Sequence, residues 1–282
     1  MRFLELLKVI FLGVIEGITE WLPISSTGHM LLFDALFPLD CSPAFKEVFL
    51  YTIQLGAILA VVILFWKKLF PFGTEKKQTE QGELKTRLIV KKDIFNLWGK
   101  VVVACIPAAV VGLLFDMPDS PLVISITLIV YGAAFILMEL WNKKRTFKIE
   151  STSEISYIHA IIIGLCQALS FIPGTSRSGV TILGALLLGI SRPAGAEFTF
   201  YLAIPVMFGA SLLKLLKYGF AFTAAEFGYL LIGAFVAFAV SLFAIKFLMD
   251  FVKKHDFTVF GWYRIALGVL VIGALVLPPL FA

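Results

Sequence analysis

Two glutamates four residues apart, Glu16 and Glu20, interrupt an apolar stretch near the start of the chain. On a helix this spacing places both carboxylates on one face. Such a pair on an amphipathic helix would simply face water, whereas carboxylates inside a membrane segment are costly and indicate a functional site. The functional interpretation is a pair that binds a divalent cation, takes up a proton, or both. Oxygen ligands suit Mg²⁺ or Ca²⁺, and Mg²⁺ commonly links carboxylates to phosphates.

A cluster of hydroxyls and a histidine follows the glutamates directly: Ser25, Ser26, Thr27 and His29. Pro23 ends one helix, and any of the three hydroxyl residues can cap the next. A new helix N-terminus offers free backbone N–H groups and a positive dipole end, which together form an anion site. A simple N-cap and a core histidine are the structural alternatives. In a functional role, His29 serves as a general acid, a general base or a nucleophile.

A second cluster of hydroxyl and basic side chains follows Pro173: Ser176, Arg177, Ser178 and Thr181. It again opens a short apolar run. Arg177 has no acid nearby in sequence, so it is either a structural partner of a distant glutamate, Glu47 or Glu197, or a bidentate phosphate clamp. Two anion-binding helix ends with an arginine, hydroxyls, a histidine and carboxylates indicate phosphoryl chemistry.

The composition indicates that the elements that carry these residues lie in a lipid membrane. Of the 282 residues, 60% are hydrophobic and only 15% are charged, and the mean hydropathy is +0.95. Soluble globular chains are about 45–50% apolar and about 25% charged. These values exclude a disordered, collagenous or coiled-coil chain and predict an all-α integral membrane protein. The cysteines Cys41, Cys105 and Cys166 are odd in number and scattered, so they form neither a disulfide framework nor a metal site.

The basic residues predict the orientation in the membrane. Eight of the 24 Lys and Arg residues lie within 67–92, and four more lie within 143–148. A basic excess in short loops between apolar runs marks the cytoplasmic side of a membrane protein. The net charge of +5 is therefore explained without a nucleic-acid partner. Glu16 and Glu20 interrupt the first apolar stretch, so we do not expect a signal peptide there.

A membrane-spanning helix needs about 20 apolar residues, and this length predicts about six full spans. They are 46–66, 98–115, 120–141, 196–217, 227–251 and 257–279, with a cytoplasmic basic loop at 67–97. Two apolar runs, 21–33 and 178–191, are too short to span. Because each follows a proline and a hydroxyl cluster, we expect two re-entrant helical hairpins, at about 6–36 and 156–191, lining a cavity.

An internal repeat relates the two halves of the chain. Residues 13–27 resemble residues 164–177, and Glu-Val-Phe-Leu-Tyr at 47–51 matches Glu-Phe-Thr-Phe-Tyr at 197–201. In the charge-derived layout the two matching helices run in opposite directions. The sequence therefore predicts one polytopic bundle of two inverted-topology repeats, 1–145 and 146–282. Such repeats place their polar site near the midplane, where the halves meet.

The two polar clusters also resemble known motifs. Glu-Gly-Ile-Thr-Glu-Trp-Leu-Pro-Ile-Ser-Ser-Thr-Gly-His at 16–29 and Pro-Gly-Thr-Ser-Arg-Ser-Gly-Val-Thr at 173–181 look like the signature motifs of bacterial undecaprenyl-diphosphate phosphatases of the bacitracin-resistance type. The resemblance covers essentially the whole chain. It implies hydrolysis of undecaprenyl diphosphate to the monophosphate and inorganic phosphate, which recycles the lipid carrier for peptidoglycan and confers bacitracin resistance. It also implies a multi-pass plasma-membrane enzyme that requires a divalent cation and opens its site to the outer face.

The resemblance assigns roles residue by residue. Glu16 and Glu20 become the cation-binding pair, and Glu20, Ser26, His29 and Arg177 become the catalytic residues. The remaining hydroxyls become phosphate-binding residues on either side of the diphosphate: Ser25, Thr27, Ser176, Ser178 and Thr181. The attacking group stays open among Ser26 with His29 as its base, His29 itself, and a water activated by Glu20.

A second class of function is compatible with the same features. Inverted repeats and re-entrant hairpins also suit a carrier, so the alternative is a transporter or flippase of a polyprenyl phosphate. The sequence leaves open whether the chain forms a homo-oligomer. Its expected partners are the polyprenyl substrate and the lipid of the membrane.

Overall fold

The computed structural model describes residues 2–78, 84–115 and 117–278, and nearly all of its secondary structure is helical. The α-helices in chain order are α1 (Phe3–Thr19), α2 (Ser26–Leu36), α3 (Pro43–Leu64), α4 (Trp66–Leu69), α5 (Lys92–Leu114), α6 (Pro121–Asn142), α7 (Tyr157–Ala168), α8 (Arg177–Leu187), α9 (Arg192–Tyr218), α10 (Ala224–Phe251) and α11 (Thr258–Val271). Two strands, β1 (Phe72–Gln78) and β2 (Leu84–Val90), lie between α4 and α5. The all-helical prediction for the membrane part is confirmed.

Within the described residues, six helices are long and apolar enough to cross a membrane. They are Pro43–Leu64, Lys92–Leu114, Pro121–Asn142, Arg192–Tyr218, Ala224–Phe251 and Thr258–Val276. Large apolar side chains such as Phe235 and Phe243 project outward and are 68% and 75% exposed, as a lipid-facing surface requires. The chain is therefore a multi-pass membrane protein. The six observed helices coincide with the six predicted spans to within a few residues, although the predicted end of the last span, residue 279, lies outside the described residues.

The basic segment predicted as a loop at 67–97 contains regular structure instead. The short helix α4 begins it, β1 and β2 form an antiparallel hairpin from the Phe72–Val90 pair to the Gln78–Leu84 pair, and α5 begins at Lys92. Residues 79–83, at the end of this hairpin, lie outside the described residues. The run Leu84–Val90 is rich in β-branched residues, which favour strands. The charge of the segment predicts a connection between two spans, and only the strand propensity of its residues indicates the hairpin within it.

Two pairs of shorter helices, α1 with α2 and α7 with α8, occupy matching positions in the two halves of the chain. Helix α1 packs on α10, and α7 packs on α5. Both α2 and α8 contact α6. The α1–α10 and α7–α5 contacts correspond to each other, because α1 and α5 hold the same places in the first half as α7 and α10 hold in the second. In both contacts a short helix of one half packs on a long helix of the other half.

Matching glycines permit this close packing. A Cβ atom on Gly13 of α1 would lie 2.9 Å from the carbonyl oxygen of Gly233 in α10. A Cβ atom on Gly164 of α7 would lie 2.2 Å from the carbonyl oxygen of Ala104 in α5. Small residues let helix backbones approach closely where lipid offers no hydrophobic driving force for association. These two glycines therefore allow α1 and α7 to pack closely against α10 and α5.

Ion pairs join both ends of the α3–α9 contact. Glu47, at the start of α3, pairs with Lys214, near the end of α9. Lys68, just beyond α3, donates to both carboxylate oxygens of Glu197, at the start of α9, at 2.8 Å. The two helices are thus antiparallel, and both glutamates that were alternative partners for Arg177 are bound to lysines instead.

Candidate active site at the turns of the two short helix pairs

The same unusual backbone conformation begins α2 and α8. Ser25 and Ser176 have φ values of +74° and +70°, and they are the non-glycine residues with positive φ in the described part of the chain. The Oγ of Ser25 accepts a hydrogen bond from the N–H of Gly28 at 3.4 Å, and that of Ser176 accepts from Gly179 at 3.2 Å. Thr27 is half-buried in the first turn of α2. Positive φ in a side-chain-bearing residue costs about 1–3 kcal/mol and concentrates at functional sites.

Glu20 and Arg177 join the two helix pairs. Arg177 donates from Nε at 3.3 Å and from Nη2 at 3.1 Å to Oε1 of Glu20. Its Nη1 donates to the carbonyl oxygen of Thr199 in α9 at 3.1 Å. Both charged side chains are only 9% exposed, and the guanidinium lies 5.9 Å from the ring centre of Trp21. The pair is charge-assisted, shielded from water and held by a neighbouring helix.

Ser26 and His29 have separate partners. The Oγ of Ser26 donates to Oε2 of Glu20 at 3.0 Å. The Nδ1 of His29 lies 2.7 Å from the carbonyl oxygen of Ser25, and its Nε2 lies 2.7 Å from the hydroxyl of Tyr263. Because a carbonyl only accepts, Nδ1 carries the proton, and in a neutral ring Nε2 accepts from Tyr263. The residue in hydrogen-bond contact with Ser26 is therefore Glu20, and not His29.

The hydroxyls of Ser178 and Thr181 bond to the protein itself. Ser178 Oγ donates across the site to the carbonyl oxygens of Glu20 and Leu22, at 3.0 and 3.3 Å. Thr181 Oγ1 donates back along its own helix and accepts from Thr199 Oγ1 at 3.0 Å. Ser178 is 1% exposed and Thr181 is fully buried. In this structure both residues fasten α8 to its surroundings, a role that their motif positions alone do not indicate.

Arg264 of α11 forms hydrogen bonds with both turns, the one before α2 and the one before α8. Its side chain is fully buried. Its Nη1 donates to the carbonyl oxygen of Pro23 at 3.3 Å, and its Nη2 donates to those of Gly174 and Thr175 at 2.9 and 3.0 Å. The guanidinium also lies 5.8 Å from the ring centre of Tyr131. One cation thus satisfies carbonyl groups from both turns, which would otherwise be left unpaired in the protein interior.

The buried carboxylate of Glu16 has the chemistry of a metal ligand. It is 2% exposed, and its Oε1 has no hydrogen-bond partner in the described part of the chain. The N–H of Glu20 donates to the carbonyl oxygen of Glu16, so the two carboxylates follow each other by one helical turn. Gln167, in helix α7 of the other short pair, is fully buried with both amide atoms equally unpartnered among those residues. An unsatisfied buried carboxylate oxygen fits a bound cation.

Comparison of the sequence with known proteins identifies its family. The family model described as bacitracin resistance protein BacA matches residues 9–270. The chain belongs to this family. Among its relatives, an undecaprenyl-diphosphatase of Enterococcus faecalis is 60% identical, over 96% of this chain and 98% of its own length. Undecaprenyl-diphosphatases of Acetivibrio thermocellus and Lachnoclostridium phytofermentans are each 55% identical, over 95% and 97% of this chain and 97% and 98% of their own lengths.

The structure of this BacA-family chain brings the two sequence clusters together. Glu20, Ser26 and Arg177 form one connected set, although Glu20 and Arg177 are 157 residues apart in sequence. Two further contributors, Tyr263 and Arg264, belong to neither of the two sequence clusters. The available signal was their position, because both lie within the apolar run of the last span, where an arginine is costly unless it has partners.

Proposed function

We propose that this chain hydrolyses undecaprenyl diphosphate to undecaprenyl phosphate and inorganic phosphate. The names of its close full-length relatives support this reaction. The observation that carries it is the buried Glu20–Arg177 pair, flanked by two strained helix N-termini from opposite halves of the chain. A diphosphate needs positive charge and N–H donors for its oxygens, and an acid to manage a proton. The reaction recycles the lipid carrier, and the family description fits bacitracin resistance.

In this proposal Arg177 and the first N–H groups of α2 and α8 hold the phosphate oxygens. A guanidinium fork binds phosphate in two places and stabilises the charge that develops on the transferred group. Ser25, Thr27 and Ser176 contribute hydroxyls around the diphosphate, and Ser178 and Thr181 keep α8 in place. Arg177 exchanges part of its contact with Glu20 for the substrate, because the carboxylate and a phosphate oxygen compete for the same donors.

Ser26 is the proposed nucleophile and Glu20 its base. The hydrogen bond from Ser26 Oγ to Glu20 Oε2 already directs the hydroxyl proton toward the carboxylate. A bond forms between Ser26 Oγ and the terminal phosphorus while the bridging P–O bond breaks, and Glu20 takes the proton. Undecaprenyl phosphate leaves, and water then cleaves the phosphoserine to release inorganic phosphate. His29, bound to Tyr263, orients the N-terminus of α2 and lies within the same site.

Glu16 and Glu20 are the residues that would hold a divalent cation, Mg²⁺ or Ca²⁺. Within the described residues no group of three or more His, Cys, Asp or Glu side chains has metal-binding spacing, so the proposed site has two carboxylates. That number suits Mg²⁺, which commonly takes one or two carboxylates and completes its shell with water and substrate phosphates. The bound cation would neutralise charge on the diphosphate. The unpartnered oxygen of Glu16 supports its assignment as a ligand.

We further propose that the two halves, 1–145 and 146–282, are inverted repeats and that each short helix pair is a re-entrant hairpin. Matching caps at Ser25 and Ser176 and antiparallel packing of α3 against α9 support this arrangement. Placing the basic segments in the cytoplasm directs the loops that join α5 to α6 and α9 to α10 outward. The site then opens to the extracytoplasmic face, where the diphosphate is released during envelope synthesis.

The proposed reaction is tested by phosphate release from undecaprenyl diphosphate by the purified protein in detergent. We expect release with Mg²⁺, loss of release with a chelator, and at least about a 100-fold lower rate for Arg177→Ala. Arg145→Ala removes an exposed arginine outside the site and should retain the wild-type rate. Well-folded protein that releases no phosphate with any divalent cation would refute the enzyme and favour the carrier. Near-normal turnover of Arg177→Ala would refute the phosphate clamp alone.

A further inference from the structure

A groove opens between α3, α9 and α10, away from the two turns that form the candidate active site. Its volume is about 340 Å³. One part of its lining is apolar and includes Leu64, Ile245 and Met249. The other part is charged and includes three lysines and two acids. An apolar wall that faces a charged one suits an amphipathic ligand, with a charged group at one end and an apolar chain at the other.

The charges around the groove leave two lysines available to a ligand. Lys68 is occupied, because its Nζ lies 2.8 Å from both carboxylate oxygens of Glu197. Lys253 pairs with Asp250, three residues earlier, in an ion pair whose side chains are 56% and 76% exposed. Pairs this exposed are weak and readily exchanged. Lys246 is exposed and makes no ion pair with another residue in the described part of the chain.

The surroundings of Lys246 point to lipid. Phe243 and Phe247, which flank it on α10, are 75% and 55% exposed on the apolar surface of a spanning helix. Lys246 lies five residues before the end of α10, and Lys253 and Lys254 follow that end. The groove therefore lies where the hydrocarbon region meets the basic side of the protein. Cationic side chains at this depth attract the phosphates of anionic lipids.

We propose that this groove binds one anionic phospholipid of the membrane. The phosphodiester group lies between Lys246 and Lys253, and Lys253 releases Asp250 to reach it. One acyl chain follows the apolar wall formed by Leu64, Ile245 and Met249. A soluble anion would leave this wall exposed to water, and a zwitterionic lipid would bring an ammonium group toward the lysines.

Native mass spectrometry of the purified, delipidated full chain in detergent tests the proposal. Phosphatidylglycerol and phosphatidylcholine are titrated separately, without polyprenyl substrate, onto wild type and the double variant Lys246→Gln/Lys253→Gln. The control is Lys143→Gln/Lys144→Gln, which removes the same charge from exposed positions outside the groove. We expect wild type and the control to retain one phosphatidylglycerol at least fivefold more tightly than phosphatidylcholine, and the groove variant to lose this preference.

Four outcomes would overturn the proposal. Equal losses in the groove variant and the control would mean general attraction to a basic surface. Displacement of the lipid by millimolar inorganic phosphate, or tighter retention of a polyprenyl monophosphate than of phosphatidylglycerol, would assign the groove to a different phosphate ligand. Unfolding transitions of all three proteins are compared, and if the double variant is unfolded the same titration is made with Lys246→Gln alone. Retention by that variant equal to wild type would also overturn the proposal.

Discussion

Glu20 holds two different donors on its two carboxylate oxygens, the guanidinium of Arg177 on Oε1 and the hydroxyl of Ser26 on Oε2. In the proposed reaction the two oxygens therefore have separate tasks. Oε1 gives up part of Arg177 to the phosphate oxygens, which compete for the same donors, while Oε2 stays in contact with the hydroxyl whose proton it would accept.

Replacing the proposed nucleophile tests this chemistry directly. Ser26→Ala should reduce kcat by at least about 1,000-fold, because the attacking oxygen is lost. Ser120→Ala, at a helix start whose side chain makes no capping bond, is the control and should be unaffected. Quenching wild type in sodium dodecyl sulfate at neutral pH, with substrate labelled in the terminal phosphate, should leave the label on Ser26, and phosphohistidine also survives these conditions. Label on His29, or turnover of Ser26→Ala within tenfold of wild type, would contradict the assignment.

Glu16 provides a second test at the level of single side chains. Glu16→Gln removes the charge of the unpartnered carboxylate and should raise the Mg²⁺ concentration needed for half-maximal phosphate release by about 10- to 100-fold. Glu150→Gln, which changes an exposed glutamate outside the site, should leave the titration unchanged. A Mg²⁺ titration of Glu16→Gln that superimposes on that of wild type would remove Glu16 from the cation site.

The N-termini of α2 and α8 combine capping with strain. A serine hydroxyl stabilises the start of a helix. A serine at φ near +70° is also destabilised by steric contacts of its Cβ, which glycine lacks. Each turn is held in this conformation by carbonyl contacts with Arg264. In this conformation the Oγ of each serine lies over the first turn of its own helix and accepts from the N–H of Gly28 or Gly179.

The strain makes a prediction about stability. At Ser176, alanine loses the cap and keeps the strain, whereas glycine relieves the strain, so glycine should give the higher free energy of unfolding by about 1–2 kcal/mol. Ser191 caps α9 with an ordinary φ of −61°, so the difference between glycine and alanine there should be smaller by about 1 kcal/mol. Denaturant unfolding in detergent measures both. Equal differences at the two caps would mean that Ser176 is unstrained.

Sequence patterns predicted the helices and both polar clusters because these depend on local features: apolar length, prolines and capping residues. They did not predict which charges meet. The sequence suggested Glu47 or Glu197 as a partner of Arg177, and the observed partner, Glu20, depends on how two distant turns face each other. The bond from Ser178 to the Glu20 carbonyl and the role of Arg264 also arise only from packing between segments. The hairpin of β1 and β2 was missed because its charges obscured its strand propensity.

At the scale of the whole molecule, each half of the chain supports the short helix pair of the other half. Each half contributes one strained helix start to the site and one long helix that seats the other half's short pair. The glutamate of one motif and the arginine of the other then meet where neither half alone would form a site. The two halves thus supply opposite charges to one place, the carboxylate from the first half and the guanidinium from the second.

The inverted arrangement is testable by the sidedness of equivalent connections. If the repeats are inverted, the connection after α3 and the one after α9 lie on opposite sides, as do those after α5 and after α10. We expect an impermeant maleimide to label Ala221→Cys and Met117→Cys from outside intact cells, and Lys67→Cys and Lys254→Cys only after permeabilisation. The background carries serine at the native cysteines: Cys41, Cys105 and Cys166. Labelling of both members of an equivalent pair from one side would exclude inversion, whatever the activity of the enzyme.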